Sequence, residues 1–194
     1  KYLIDIDGYI VYDHIGEGAY EETEKNIQEL LEERNVALGA KEDIAKDTSR
    51  PAQTIETNFS QPRSPEIYFG AARNTSFGNG NTNTTGLQSL SVPKDIKKNL
   101  LYLSGNWNFE DEFAENKSSQ AKIIFRYQAK NVYFVARSDS DIKIKILNDG
   151  KQIGEQTIKS AQTYQVISDS DYGDHILEII IEEPGLRAFT FTFG

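Results

Sequence analysis

The sequence predicts a mostly β protein: an antiparallel β-sandwich preceded by a β-hairpin and one α-helix. Three observations carry this expectation. Residues 64–194 hold at least eight short strand-like runs separated by turn signals. One stretch alone, near the N-terminus, has the apolar spacing of a helix. Ten Tyr, ten Phe and one Trp, with many Asn, Thr and Ser, favour pleated structure.

Tyr2, Ile4 and Ile6 alternate with Leu3, Asp5 and Asp7, and Asp7-Gly8 supplies a tight turn whose central positions need positive φ. Tyr9–Ile15 is the return strand, and Gly16-Glu17-Gly18 ends it. A helix follows over Tyr20–Arg34. Ile27, Leu30 and Leu31 make its apolar stripe, while Glu21, Glu22 and Glu24 favour its N-terminal end electrostatically. Residues 36–63 turn polar, with Pro51 and Pro62, and read as an extended linker or arm.

The remaining runs are Glu66–Gly70, Asn99–Leu103, Gly105–Phe109, Ala121–Ala129, Asn131–Arg137, Asp141–Leu147, Lys151–Ile158, Thr163–Ser168, His175–Glu182 and Leu186–Phe193. A long polar loop, Arg73–Gly86, separates the first two. Asn148-Asp149-Gly150 is a strong hairpin signal. Ile142, Ile144 and Ile146 alternate with Lys143 and Lys145, so one face meets a core and the other water. Phe189, Phe191 and Phe193 alternate with small and polar residues in the same way. The domain plan is therefore 1–35, a linker over 36–63, and a sandwich over 64–194.

Composition narrows the function. A formal charge of −9 and a pI near 4.8 argue against nucleic acid, whose phosphates need a basic stripe. No apolar run approaches the roughly 20 residues that span a bilayer, and no basic run grips a membrane surface. The chain has no Cys, so it cannot itself exchange dithiols: the thiolate is the nucleophile of that chemistry. The absence of Met, even at position 1, points to a fragment or a processed chain. Two strands and one helix bury too little to fold alone. The unit 1–35 must dock on the sandwich, on a second copy, or on sequence outside this chain.

The segment YLIDIDGYIVYDHIGEGAYEETEKNIQELL resembles the last third of TlpA- and peroxiredoxin-like thioredoxin domains. SPEIYFGAARNTSF at 64–77, LSGNW at 103–107 and the terminal AFTFTFG resemble the C-terminal domain of DipZ-type thiol–disulfide interchange and cytochrome c biogenesis proteins. The resemblance implies a remnant of a thioredoxin fold followed by a jelly-roll sandwich likened to carbohydrate-binding modules. It also implies an extracytoplasmic setting, tethered through the parent's membrane domain. The redox motif of that family lies upstream and would fall before Lys1, so redox activity belongs to the parent and this chain is no enzyme. The implied role is a non-catalytic binding or docking module, whose ligand is a glycan or a protein. The alternative is a structural sandwich that packs on or regulates the thioredoxin domain, or mediates dimerisation. No cofactor is implied.

Five residues are candidates for a ligand site. Trp107 can stack on a sugar ring, with Asn106 and Asn108 offering hydrogen bonds; a buried place beside Leu101, Leu103 and Phe109 is the commoner fate of such a Trp. Tyr133 and Arg137 share the strand face opposite Val132, Phe134 and Ala136, as a sugar platform or an ordinary solvated face. Arg73 either fixes a ligand with its planar fork or tethers the polar loop. The loop Ser168-Asp169-Ser170-Asp171 has the oxygen supply of a Ca²⁺ site without a matching ligand spacing, and solvation is its ordinary reading. His14 and His175 lack metal-site or nucleophile partners, and the carboxylate pairs Glu182-Glu183 and Glu110-Asp111-Glu112 do not by themselves make a hydrolase.

Overall fold

A computed structural model describes residues 1–15, 18–48 and 63–194. The chain divides into two compact units, Lys1–Ile55 and Glu56–Gly194. The Gly16-Glu17 part of the expected strand break and residues 49–62 of the expected linker lie outside the described residues.

In the first unit β1 (Tyr2–Ile4) pairs antiparallel with β2 (Ile10–Asp13). The connection is longer than the expected two-residue turn. Asp5 organises it: its carboxylate accepts from the Asp7 and Tyr9 amides at 3.0 and 2.8 Å. Gly8 alone there takes positive φ, at 90°. α1 (Tyr20–Leu38) runs past Arg34 and stops where Gly39 adopts φ 64°, its amide donating to the last carbonyls. The polar stretch after it does not all extend away, because residues 42–47 run back along the helix. The Asn35 amide donates to the Glu42 carbonyl (2.8 Å), Arg34 pairs with Glu42 (2.9 Å), Lys46 with Glu32 (2.7 Å), and Gln28 donates to the Asp47 carbonyl (3.1 Å). Leu3, Ile4 and Ile6 face Ile27, Leu30 and Leu31 across an apolar cleft.

The second unit is a β-sandwich. Its strands are β3 (Ile67–Tyr68), β4 (Gly86–Leu90), β5 (Leu101–Phe109), β6 (Ala114–Asn116), β7 (Ala121–Arg137), β8 (Ile142–Asn148), β9 (Lys151–Ile158), β10 (Gln162–Ile181) and β11 (Arg187–Phe193). Several runs that read as separate strands are continuous. β7 joins two of them, and β10 joins two more across a register break between Ser168 and Gly173. These long strands serve both layers. The first part of β7 pairs with β5, and its second part with β11. One layer therefore contains β4, β5, β7, β10, β8 and β9, and the other β3, β11, and the remaining halves of β7 and β10. β6 bridges β5 and β11. β4 escapes a pattern search because Leu87 is two-thirds exposed; it is an edge strand held by backbone pairing to β5. The expected hairpin at 148–150 is present, with Asp149 and Gly150 at φ 50° and 77°.

Side chains from both layers fill the interior. Trp107, Phe69, Phe109, Phe125, Phe134 and Phe191 are fully buried. Phe191 packs against Phe134 and Phe69 with ring centroids 5.0 and 5.3 Å apart. Asn116 is a buried polar tie: its amide donates to the Ser118 and Glu183 carbonyls, and its oxygen accepts from the Gly185 and Leu186 amides.

Candidate binding face

The smaller layer has a regular outer face. In β7 and β11, Val132, Phe134, Ala136, Phe191 and Phe193 point into the core. Strand pairing then aligns the outward residues in rows. Tyr68, Thr190, Val135 and Thr163 form one row, Thr192, Tyr133 and Gln165 a second, and Arg187 and Arg137 a third.

At the β3 edge of this face the Arg73 guanidinium lies 3.5 Å over the Tyr68 ring. The Tyr68 hydroxyl donates to Glu66, and this hydrogen bond raises the phenol above its ordinary pKa. Segment 70–73 is anchored by the loop after β5. The Ala71 amide donates to the Glu110 carbonyl (2.8 Å), the Ala72 amide to Asp111 (3.1 Å), and the Arg73 amide back to Gly70 (3.0 Å). A Cβ on Gly70 would sit 2.3 Å from the Glu112 carbonyl carbon, so only glycine permits this approach. That is why an exposed arginine on a loop holds a defined position.

The third row is a charge network. Arg137 donates to Asp139 at 2.7 Å, Arg187 to Asp139 at 2.9 Å and to Glu115 at 3.2 Å, and Lys117 reaches Glu115 at 2.5 Å. The Arg137 hydrogen bond, with the Arg187 charge behind it, lowers the Asp139 carboxyl. Burial alone would raise Glu115, but Lys117 and Arg187 together outweigh it and lower it. Arg187 also stands 5.6 Å over Phe113, which packs on Phe189 at 5.5 Å.

The five candidate residues thus fall in different places. Trp107 is 0% exposed and its indole donates to the Ser104 carbonyl at 2.9 Å, so neither ring face is open to a sugar. Tyr133 is on the outer face but only 6% exposed; burial, with the Tyr172 charge second, raises its phenol. Arg137 is on the same face, engaged by Asp139. Asn106 is exposed at the β4–β5 edge, away from these rows, and accepts from Ser89 at 2.7 Å. Among the described residues Arg73 tethers no carboxylate; its partner is Tyr68. Sequence reasoning missed Tyr68, Phe113 and Arg187. Tyr68 lay in a strand pattern too short to assign faces. Phe189 was grouped with the core phenylalanines, but the register shift between Ala188 and Thr190 turns it outward onto Phe113. Among the described residues, no group of three or more His, Asp or Glu is arranged to hold a metal ion. No described helix is long and apolar enough to cross a membrane.

Comparison with known proteins gives two kinds of likeness. The Protein DipZ of Mycobacterium bovis and that of Mycobacterium tuberculosis are each 28% identical to this chain over all 194 residues, and the chain spans 27% of their length. Among solved structures, a family two carbohydrate esterase from Clostridium thermocellum in complex with cellohexaose matches 45% of this chain and 29% of its own, at TM-score 0.43 and 16% identity. A family 6 carbohydrate-binding module matches 61% of this chain and 94% of its own, at TM-score 0.34 and 14% identity. The profile of the family described as "Thioredoxin like C-terminal domain" matches residues 64–194. By that match, which takes in the entire sandwich, the chain belongs to the thioredoxin-like C-terminal domain family.

Proposed function

We propose that this chain is a non-catalytic binding module of an extracytoplasmic thioredoxin-family thiol–disulfide exchange protein, and that its sandwich binds saccharide on the outer face of the smaller layer. Residues 1–35 are then the end of the thioredoxin-like domain, 36–63 the connection and 64–194 the module. The observation that carries the reading is the stack of exposed Arg73 on half-buried Tyr68 at that face, continuous with Thr190 and Arg137. A ring face and planar donors at fixed positions are what a sugar's apolar and hydroxyl faces need. The lack of Cys supports a role without catalysis. Tyr2, Ile4, Tyr9, Ile10 and Val11 are exposed apolar residues on the hairpin, which supports packing of the first unit with the remainder of a thioredoxin domain.

A second reading is a structural sandwich that packs on the thioredoxin domain, regulates it, or mediates dimerisation. The burial of Trp107 and Tyr133 favours it, because the most obvious aromatic platforms are not open. Calorimetric titration of the chain and of its Tyr68→Ala variant with soluble glycans separates the two. The module reading expects weak binding that Tyr68→Ala abolishes; indifference to every glycan supports the structural one.

A further inference from the structure

We infer that the saccharide bound at Tyr68 and Arg73 is an acidic one, a sugar carrying a carboxylate. This inference rests on the binding-module reading and names the ligand class of the same face. Its ground is the state of the arginines. Arg34, Arg126, Arg137 and Arg187 each hold a carboxylate, at 2.9, 2.8, 2.7 and 3.2 Å. Arg73 has no such partner among the described residues. It is exposed, lies with its guanidinium carbon 3.5 Å from the Tyr68 ring centroid, and is fixed by the Gly70–Arg73 turn.

The chemistry of the Arg73 side chain is specific. A guanidinium offers paired donors in its plane, matched to the two oxygens of a carboxylate. With its guanidinium carbon over the Tyr68 ring, Arg73 has no carboxylate on its donors among the described residues. Glu66, the acid two residues before Tyr68, is engaged by the Tyr68 hydroxyl. In a protein of net charge −9 an arginine without a carboxylate is out of keeping with its neighbours, and a ligand carboxylate completes it. The pyranose body of a sugar acid then lies along the Thr190 and Val135 row, toward Arg137 and Arg187.

The test uses the chain of residues 1–194 and matched probes. These are tetragalacturonic acid and a glucuronate/N-acetylglucosamine tetrasaccharide, each against its own methyl ester, with neutral cellotetraose and chitotetraose alongside. Calorimetry should find an acid bound at least about tenfold tighter than its ester, since a bidentate charged pair is lost on esterification. That preference should weaken with added salt, disappear in Arg73→Gln, and persist in Arg126→Gln. Far-ultraviolet dichroism establishes that each variant is folded. Equal binding of acid and ester, survival of the preference in Arg73→Gln, or binding of the neutral glycans alone overturns the inference and leaves the module reading standing. Binding by none of the probes overturns both.

Discussion

Arg73 lies with its guanidinium carbon 3.5 Å over the ring of Tyr68, and the Tyr68 hydroxyl is in turn held by Glu66. Arg73 is exposed and Tyr68 half-buried, and a cation–π contact near the surface is worth about 0.5–1 kcal/mol, so the contact itself contributes little to folding. Arg73→Ala is therefore expected to unfold thermally within a few degrees of the parent chain, and Tyr68→Ala, which also gives up partial burial, somewhat lower. A large loss of stability in either would mean that the pair is a structural brace and not an open platform.

Trp107 makes the opposite prediction. Its complete burial and its indole hydrogen bond to Ser104 place it among the core side chains. Trp107→Ala should cost about 3–5 kcal/mol in denaturant unfolding, from lost burial and the cavity left behind. Fluorescence of the parent chain, which has this one Trp, should be blue-shifted, resistant to acrylamide and unchanged by saccharide. A red-shifted, readily quenched emission would contradict the packing described.

Gly70 is where the Arg73 segment meets the loop after β5. A methyl group there would lie 2.3 Å from Glu112 and 2.4 Å from the Asp111 oxygen, both backbone atoms that cannot step aside cheaply. Gly70→Ala should destabilise the sandwich by about 1–3 kcal/mol and weaken saccharide binding as well, because Arg73 loses its foundation. Unaltered stability and affinity together would show that the two loops are not coupled.

The pH dependence of stability should have two limbs. Asp174 is lowered first of all by its hydrogen bond from Arg126, and Asp139 by that from Arg137. A carboxyl lowered in the fold stabilises it above its unfolded pKa of about 4, and that contribution fades as pH falls through the folded value. Tyr127 is raised well above the usual phenol range, mainly by burial and then by the Asp169 charge. Its contribution is complete below an unfolded pKa of about 10 and is lost as pH rises toward the folded value. Thermal melts should be level between these limbs. Arg126→Gln should flatten the acid limb and Tyr127→Phe the alkaline one; melts insensitive to both substitutions would contradict the assigned causes.

Much of the sandwich is legible in the sequence because its strands obey a two-residue period. Ile142, Ile144 and Ile146 face the core and the lysines between them face water, as the alternation requires. Asp149-Gly150 demands positive φ at both positions and obtains it. What the alternation hides is backbone pairing without apolar content, as in β4, and continuity across a break, as in β10. The candidate face is less legible. Arg137 and Tyr133 could be placed on one side of β7 from their spacing, but burial of Tyr133 depends on residues distant in sequence. Tyr68 and Arg73 are five positions apart on either side of a turn, and no periodic pattern relates them. Their stack exists because Gly70 lets the chain press against residues 111–113. The register shift before Thr190 is equally silent in the sequence, and it decides that Phe189 leaves the core for Phe113.

Calorimetric titration of the parent chain and Tyr68→Ala with acidic and neutral oligosaccharides at millimolar concentration tests the central claim most directly. The account predicts heat from at least one saccharide class with the parent chain and none with the folded variant. Equal heats from both proteins would put the site elsewhere, and silence from every saccharide would contradict the binding-module account and favour the structural one.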